Sequence, residues 1–599
     1  MSNTTIFFRA GSMLAAFAVH LALALPTAAL AQTGVPAICA ADKTNVLWVG
    51  KNREYRTVSA AVDAMKKGKP AEPGVVCVEA GVYENDFPGA ITFAAHFIGV
   101  GGNAEMRATV AHIPNQKAIF ITRSDITFEN FTFRGAKVND KNGAGIRFEG
   151  GTLTVRNCIF VDNENGILGG SRKEDGSSAQ PFLIRVEGSQ FLRNGHLNAK
   201  GEGDGQTHGI YAAGDELIVS ESYFAAQREG HNVKSRAKRT VVTRNVLEDG
   251  LDGPKQIASY SVDTSNGGTV EVTDNVIVQR NAQGNPSAVQ GAILAYAAER
   301  RHIHDGHRLT VTGNTVVNYL SRGARLISSG DPELLAIVRN NRFSDLDAIL
   351  SGPGRAEQRD NQTVDIAKAP LWQPKPGTLV GLQRGTDASP WRFVELDRAT
   401  GKPGSALAIA GGPTRHVGFA LAERSVLANR HFGLGELDLA LGTTTLYEGS
   451  VGLAAVTAIG KQFWAVTQDG NLLAIHHADR GLDRVIKLEA NAPLAPAGLA
   501  GDGKTVFVAS RADGGVHAFD ANGKRVGRFE SKAAAGDLAG LAYDPADGSL
   551  WLAVGGARPE LRQFDRSGKL LNAVAIPGLD LAGLQVVPAD FKPRRATRE

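Results

Sequence analysis

The chain has 599 residues, 65 Lys and Arg against 61 Asp and Glu, and a formal net charge of +4. That length exceeds one ordinary core and points to at least two domains, while so small a net charge argues against a nucleic-acid binder, which usually carries a strongly basic domain. The 70 glycines, short valine and isoleucine runs and scarcity of long helical periods point to mostly β structure.

Residues 1–31 read as an export signal: Arg9 supplies the positive start, "MLAAFAVHLALAL" is an apolar run too short to span a bilayer, and "ALA" precedes Gln32. The mature protein is therefore expected in the periplasm or outside the cell, with no membrane span, since no second long apolar run follows. That compartment permits disulfides. Of the three cysteines, a Cys39–Cys77 pair leaving Cys158, or three buried thiols, both remain open.

"REYRTVSAAVDAMKKG" (53–68) predicts a short amphipathic helix and "GVVCVEAGVYEND" (74–86) an apolar strand. Eight related segments follow: "ITFENFTF" (126), "LTVRNCIF" (153), "IRVEGSQF" (184), "LIVSESYF" (217), "TVVTRNVL" (240), "VEVTDNVI" (270), "LTVTGNTV" (309) and "AIVRNNRF" (336). Alternating apolar positions mark a strand, and the asparagine or small polar residue suits a tight bend. A second set, "AGIRF", "NGILG", "HGIYA", "HNVKS" and "YSVDT", precedes five of them. Two strands per repeat with no helical half predict coils stacked in parallel, a right-handed parallel β-helix over 32–367. The helix at 53–68 would cap its open end.

In this alignment Ile146, Ile167, Ile210, Val233 and Val262 form an inward column, and Arg147, Leu168, Tyr211, Lys234 and Asp263 the outward one. Arg147 then lies about 14 Å from Lys234, the reach of a few sugar units. Arg236 follows two residues after Lys234, and His208 and His231 open consecutive strands, inward by strict alternation. The basic stretch 228–239 thus gathers on one sheet face. Such a face suits a sugar-acid polymer: arginine forks bind carboxylates, and a lysine among like charges could serve as a base. Candidate catalytic residues are Lys234, Arg236, Tyr211 and His231; candidate substrate-binding residues are Arg147, His208, Asp263 and Tyr260. A cross-strand ion pair between Lys234 and Asp263 is the plainer alternative.

"TVSAAVDAM…VCVEAGVY" resembles the opening of the pectin-lyase-like superfamily, over roughly residues 44–365, and "EGHNVKS" (229–235) resembles the segment around the catalytic lysine of the alginate lyase and chondroitinase B type of polysaccharide lyase. The resemblance implies Lys234 as the Brønsted base and Glu229 as a calcium ligand, making Ca2+ the implied cofactor. It departs at Gln227, where the family has a second glutamate, and on the next coil, which offers Lys255 or Asp263 in place of an arginine. The acidic loops at 201–206 and 248–254 lack EF-hand spacing.

"KAPLWQPKPG" (368–377) reads as a linker. Beyond it "PAGLAGDGKTVFVASRADGGVHAFDANGKRVGRF" (496–529) is echoed at 538–574, "LAGLQVVP" starts a third copy, and Gly498, Gly540 and Gly583 mark the period. A weaker copy spans 452–481. Four short strands per period predict a β-propeller-like domain over 378–599 with five or six blades, a platform for a cell-surface or protein partner by analogy of fold. The fold class expected is all-β, a right-handed parallel β-helix followed by this propeller. The function expected is an exported carbohydrate-active protein acting on an acidic polysaccharide, foremost a polysaccharide lyase working by β-elimination. A uronate C5-epimerase and a non-catalytic glycan-binding or exopolysaccharide-assembly protein are the alternatives.

Overall fold

The computed structural model describes residues 36–39, 45–68, 73–170, 182–201, 203, 205–249, 257–279, 292–300, 302–318, 324–344, 346–365, 368–386, 389–430, 432–446, 452–460, 462–468, 470–475, 482–490 and 494–594. The expected signal at 1–31, Lys255 and parts of both acidic loops lie outside them. No helix among the described residues is long and apolar enough to cross a membrane.

Residues from Val46 to Thr363 build one 28-stranded sheet in which strands pair in parallel with their equivalents one repeat away. Most repeats carry three short strands rather than the two expected, because the eight-residue segments bend in the middle; in two of them the first pair runs on as one strand, Ile210–Ser220 and Val233–Thr243. In "ITFENFTF", Ile126–Glu129 and Phe131–Arg134 are separate strands either side of Asn130, whose φ is 58°. Asparagine tolerates this left-handed conformation better than other side chains.

The bends also carry a buried ladder of amides. Asn245 Nδ2 donates to Asn275 Oδ1 at 3.0 Å, Asn275 to Asn314 at 3.0 Å, Asn314 to Asn341 at 3.0 Å and Asn341 to Asn361 at 2.9 Å. Phe133, Phe160, Phe191 and Phe224 stack at successive levels, with centroids 4.9, 4.7 and 4.6 Å apart. Like residues pile up because in-register parallel strands repeat every ~4.8 Å. The helix Val58–Gly68 buries Val58, Ala61, Val62 and Met65 against the first level. Its first amides, on Val58 and Ser59, donate to Asp86, which satisfies groups that otherwise lack intrahelical acceptors. Cys39 and Cys77 form a disulfide, and Cys158 is a buried thiol.

Beyond Lys368–Gly377, five four-stranded antiparallel sheets follow, so the propeller has five blades among the described residues. "LAGLQVVP" does not open a further blade. Leu581–Val586 pairs with Leu379–Gln383 and supplies the innermost strand of the first blade, tying the two ends of the domain together. The five innermost strands, beginning at His416, Leu453, Pro496, Leu538 and Leu581, neighbour one another around the axis. The recurring glycine belongs to this ring. A Cβ on Gly498 would lie 2.5 Å from the Leu541 nitrogen, and one on Gly540 2.8 Å from the Gly583 carbonyl carbon. Backbones approach too closely there for any side chain.

The two bodies meet where Tyr223, Val246, Val276 and Val278 of the large sheet pack on Phe432 and Leu441 of the propeller. Polar clasps flank this contact: Thr414 N donates to Glu221 at 2.6 Å, Gly412 N to the Asp274 carbonyl at 2.8 Å, and Arg415 pairs with Glu187. The expected class, a right-handed parallel β-helix of the pectin-lyase type, is replaced by this arrangement: all-β, one large parallel sheet beside a five-bladed propeller. The repeat pattern encodes strand pairing and register; it does not by itself encode membership of a superfamily.

Candidate functional site

The outward column exists in register. Arg147 pairs with Leu168, Leu168 with Tyr211, Tyr211 with Lys234 and Lys234 with Asp263. The partner column runs Ile146, Ile167, Ile210, Val233 and Val262, all buried. Strand alternation is therefore what brings Tyr211, Lys234 and Asp263 together.

Lys234 lies in a carboxylate vice. Its Nζ is 3.5 Å from Asp263 Oδ2 and 3.2 Å from Glu299 Oε1, with the side chain 13% exposed. Arg236 reaches both oxygens of Glu299, at 2.6 and 2.5 Å, donates to the Tyr211 hydroxyl at 2.8 Å and to Asn266 Oδ1 at 2.9 Å. Burial pushes the Glu299 carboxyl up, but the Arg236 hydrogen bond and the charges of Lys234 and Arg236 outweigh it and hold it below the ordinary range. Asp263 is buried; its Oδ2 accepts from Ser265 at 2.8 Å, while Oδ1 has no hydrogen-bond partner. The Tyr211 ring lies 5.6 Å from Lys234 Nζ and 5.9 Å from the Arg236 guanidinium carbon.

His208 and His231 stack beneath this face, centroids 5.0 Å apart, and Tyr260 stacks on His231 at 5.5 Å. The His231 amide donates to His208 Nδ1 at 3.1 Å, so that nitrogen carries no proton. Burial, reinforced by His231, Lys234 and Arg236, holds His208 well below its ordinary pKa; burial also lowers His231, to about 4, against the opposing pull of Asp263. Both are neutral at pH 7. Burial and then the Asp263 charge raise the Tyr260 hydroxyl.

Arg147 stands at the far end of the column, 3.6 Å from Glu149. Leu168 lies between Arg147 and Tyr211 in this column and packs with Ala118, Ile121 and Ala144 in an apolar cluster that Tyr211 covers. Glu229 is buried under the site and is already spent: Oε2 accepts the Gly205 amide at 2.7 Å and Oε1 the Thr207 hydroxyl. No group of three or more acidic, His or Cys side chains able to hold a metal occurs among the described residues. The calcium role implied for Glu229 therefore does not fit these residues.

Sequence reasoning missed Glu299 and Asn266. The column continues from Asp263 to Ala295, and Glu299 follows in the turn after Ala292–Tyr296, where no alternation rule places a side chain. Its only sequence signal is an acidic residue just before "RRH" (300–302).

No family model matches the chain, and no curated protein matches it. Similar solved structures are β-propeller proteins. Virginiamycin B lyase from Staphylococcus aureus shares 14% identity over 28% of this chain and 57% of its own, with a TM-score of 0.22. The chain thus spans little more than half of that protein. A nidogen/laminin complex matches at 14% identity over 35% of this chain and 98% of that one, TM-score 0.25. Glutaminyl cyclase from Myxococcus xanthus matches at 14% identity over 34% and 96%, TM-score 0.26. These findings replace the expected kinship with pectin-lyase-like proteins, and the polysaccharide-lyase assignment that rested on it is withdrawn. The physical reason is local: the seven-residue likeness "EGHNVKS" does not bring the implied chemistry, since Glu229 is spent on Thr207 and Gly205 and Lys234 is paired twice.

Proposed function

We propose that the chain is an exported carbohydrate-active protein that binds an acidic polysaccharide on the face running from Arg147 to Asp263. One observation carries this reading: both oxygens of the Glu299 carboxylate rest on Nη2 of Arg236, with Lys234 beside them, the position and partners a sugar carboxylate would take. Glu299 is 38% exposed and lies on a turn, so an incoming uronate can displace it. Tyr211, half-buried, offers a ring face for a sugar, and Arg147 offers a further cation along the same line.

Binding without turnover is the better-supported form. Lys234 is already engaged by two carboxylates, and the neutral histidines are buried beneath the face. The test is calorimetric titration with tri-galacturonate and with neutral galactotriose, alongside ultraviolet absorbance for an unsaturated uronate product. The acidic trimer binds, the neutral one does not, and Arg236→Ala weakens binding about tenfold or more, as expected for loss of a charge-assisted fork. Equal binding of both sugars would overturn the reading, and a rising absorbance would overturn its non-catalytic form.

A further inference from the structure

The propeller has a second charged cluster, independent of the site above. In every blade the residue following the second strand donates its amide to the carbonyl of the residue preceding an innermost strand: Arg384 to Asp580, Arg430 to Arg415, Gln468 to Gly452, Arg511 to Ala495 and Gly555 to Asp537, at 2.7–3.1 Å. These five positions are equivalent, so they ring one end of the propeller axis, its mouth. Three of the five are arginines, and Arg415 joins them from the preceding-residue set.

Their partners are unequal. Arg384 pairs with Asp580 at 3.3 Å, and Arg415 with Glu187 of the large sheet. Arg511 Nε donates only to the Leu538 carbonyl at 2.8 Å. Among the described residues no hydrogen bond or ion pair holds the Arg430 guanidinium. Both are half-buried. Burial first, then the charges of Arg384 and Arg430, press Arg511 down to about 10 against a smaller opposing pull from Asp580, and burial with Arg415 and Arg384 lowers Arg430. The guanidiniums therefore feel one another, and two of them, Arg430 and Arg511, pair with no carboxylate among the described residues. Half-buried like charges are costly unless something compensates them.

We propose that the arginine-rich mouth of the propeller binds a tetrahedral oxyanion, a phosphate or sulfate group, on the propeller axis. Arg384, Arg430 and Arg511 approach from three different blades. A planar carboxylate presents one two-oxygen edge and matches one fork, whereas a tetrahedral anion presents oxygens to forks on several sides. Gln468, at the equivalent position of the blade between those of Arg430 and Arg511, adds a neutral amide. Asp580, on Arg384's own blade and paired with it, and Asp537 on the adjoining blade bias the anion toward the Arg430–Arg511 side.

The test titrates the full chain with inorganic phosphate, sulfate and acetate at fixed ionic strength, comparing the wild type with Arg430→Gln, Arg511→Gln and Arg430→Lys. Phosphate or sulfate binds the wild type, acetate does not, and each glutamine variant binds about tenfold or more weakly, with the lysine variant between. Without anion, both glutamine variants melt no lower than the wild type, because like-charge repulsion has been removed. Which of phosphate and sulfate binds tighter identifies the source of the anion. No binding of either, equal binding by wild type and variants, or acetate matching both anions would overturn the proposal.

Discussion

His208 and His231 are 2% and 7% exposed, and both are held neutral far into acid. In the unfolded chain each takes up a proton near pH 6.5, while the folded protein resists doing so; for His231 until about pH 4. The unfolded state therefore binds more protons throughout that window. The stability these neutral rings contribute is fully present above pH 6.5 and is lost as pH falls toward 4, at no more than about 1.4 kcal/mol per pH unit for each ring. Urea unfolding at pH 7 and pH 5 measures this directly. The wild type loses stability at the lower pH, and a His208→Gln/His231→Gln double variant loses much less. At the same scale, the site's pairs were legible only in part. Lys234 opposite Asp263 follows from alternation alone. Glu299 does not, because its position depends on how a turn folds back rather than on strand period.

At the scale of elements, the repeats announce their own bends. Asparagines at the sixth position of the segments recur because each donates to the next level and accepts from the one before in a place water does not reach. Asn275 shows the density of this bonding: its Oδ1 accepts from the Asn245 amide and side chain, and its Nδ2 donates to the Val242 carbonyl and to Asn314. Asn275→Ala leaves several buried groups unpaired and should cost about 2–4 kcal/mol. Asn361→Ala, at the less buried end of the ladder, should cost less than half of that. Urea midpoints with unchanged slopes would check both. The asparagine was recognisable in the sequence as a bend residue. That the bend splits each segment into two strands was not, since eight alternating residues read the same whether or not they turn at the middle.

On the scale of the whole molecule, the propeller closes by returning Leu581–Val586 to the blade that begins the domain. The 42- and 43-residue spacing of Gly498, Gly540 and Gly583 announced a repeating unit, because close backbone approach at the axis demands glycine. It could not say that the last copy is one strand long and completes the first blade, since ring closure is a long-range pairing with no local signature. The same limit explains the superfamily expectation: repeats and a seven-residue likeness describe strands and one basic face, whereas the partners of Lys234 and Glu229 come from residues 22 to 65 positions away. The contact between the two bodies, with Glu187 and Glu221 clasping Arg415 and Thr414, was likewise invisible in the sequence because neither side repeats. It brings the arginine-lined mouth to the junction with the large sheet.

The central claim is that Glu299 stands in for a sugar carboxylate between Arg236 and Lys234. The most direct measurement is calorimetric titration of tri-galacturonate into the wild type and Glu299→Gln. Removing the resident carboxylate frees Nη2 of Arg236 and the lysine for the ligand, so affinity should rise about tenfold, or ~1.4 kcal/mol. An affinity that is unchanged or weaker in Glu299→Gln would show that the carboxylate belongs to the fold rather than to the ligand's seat, and would contradict the account.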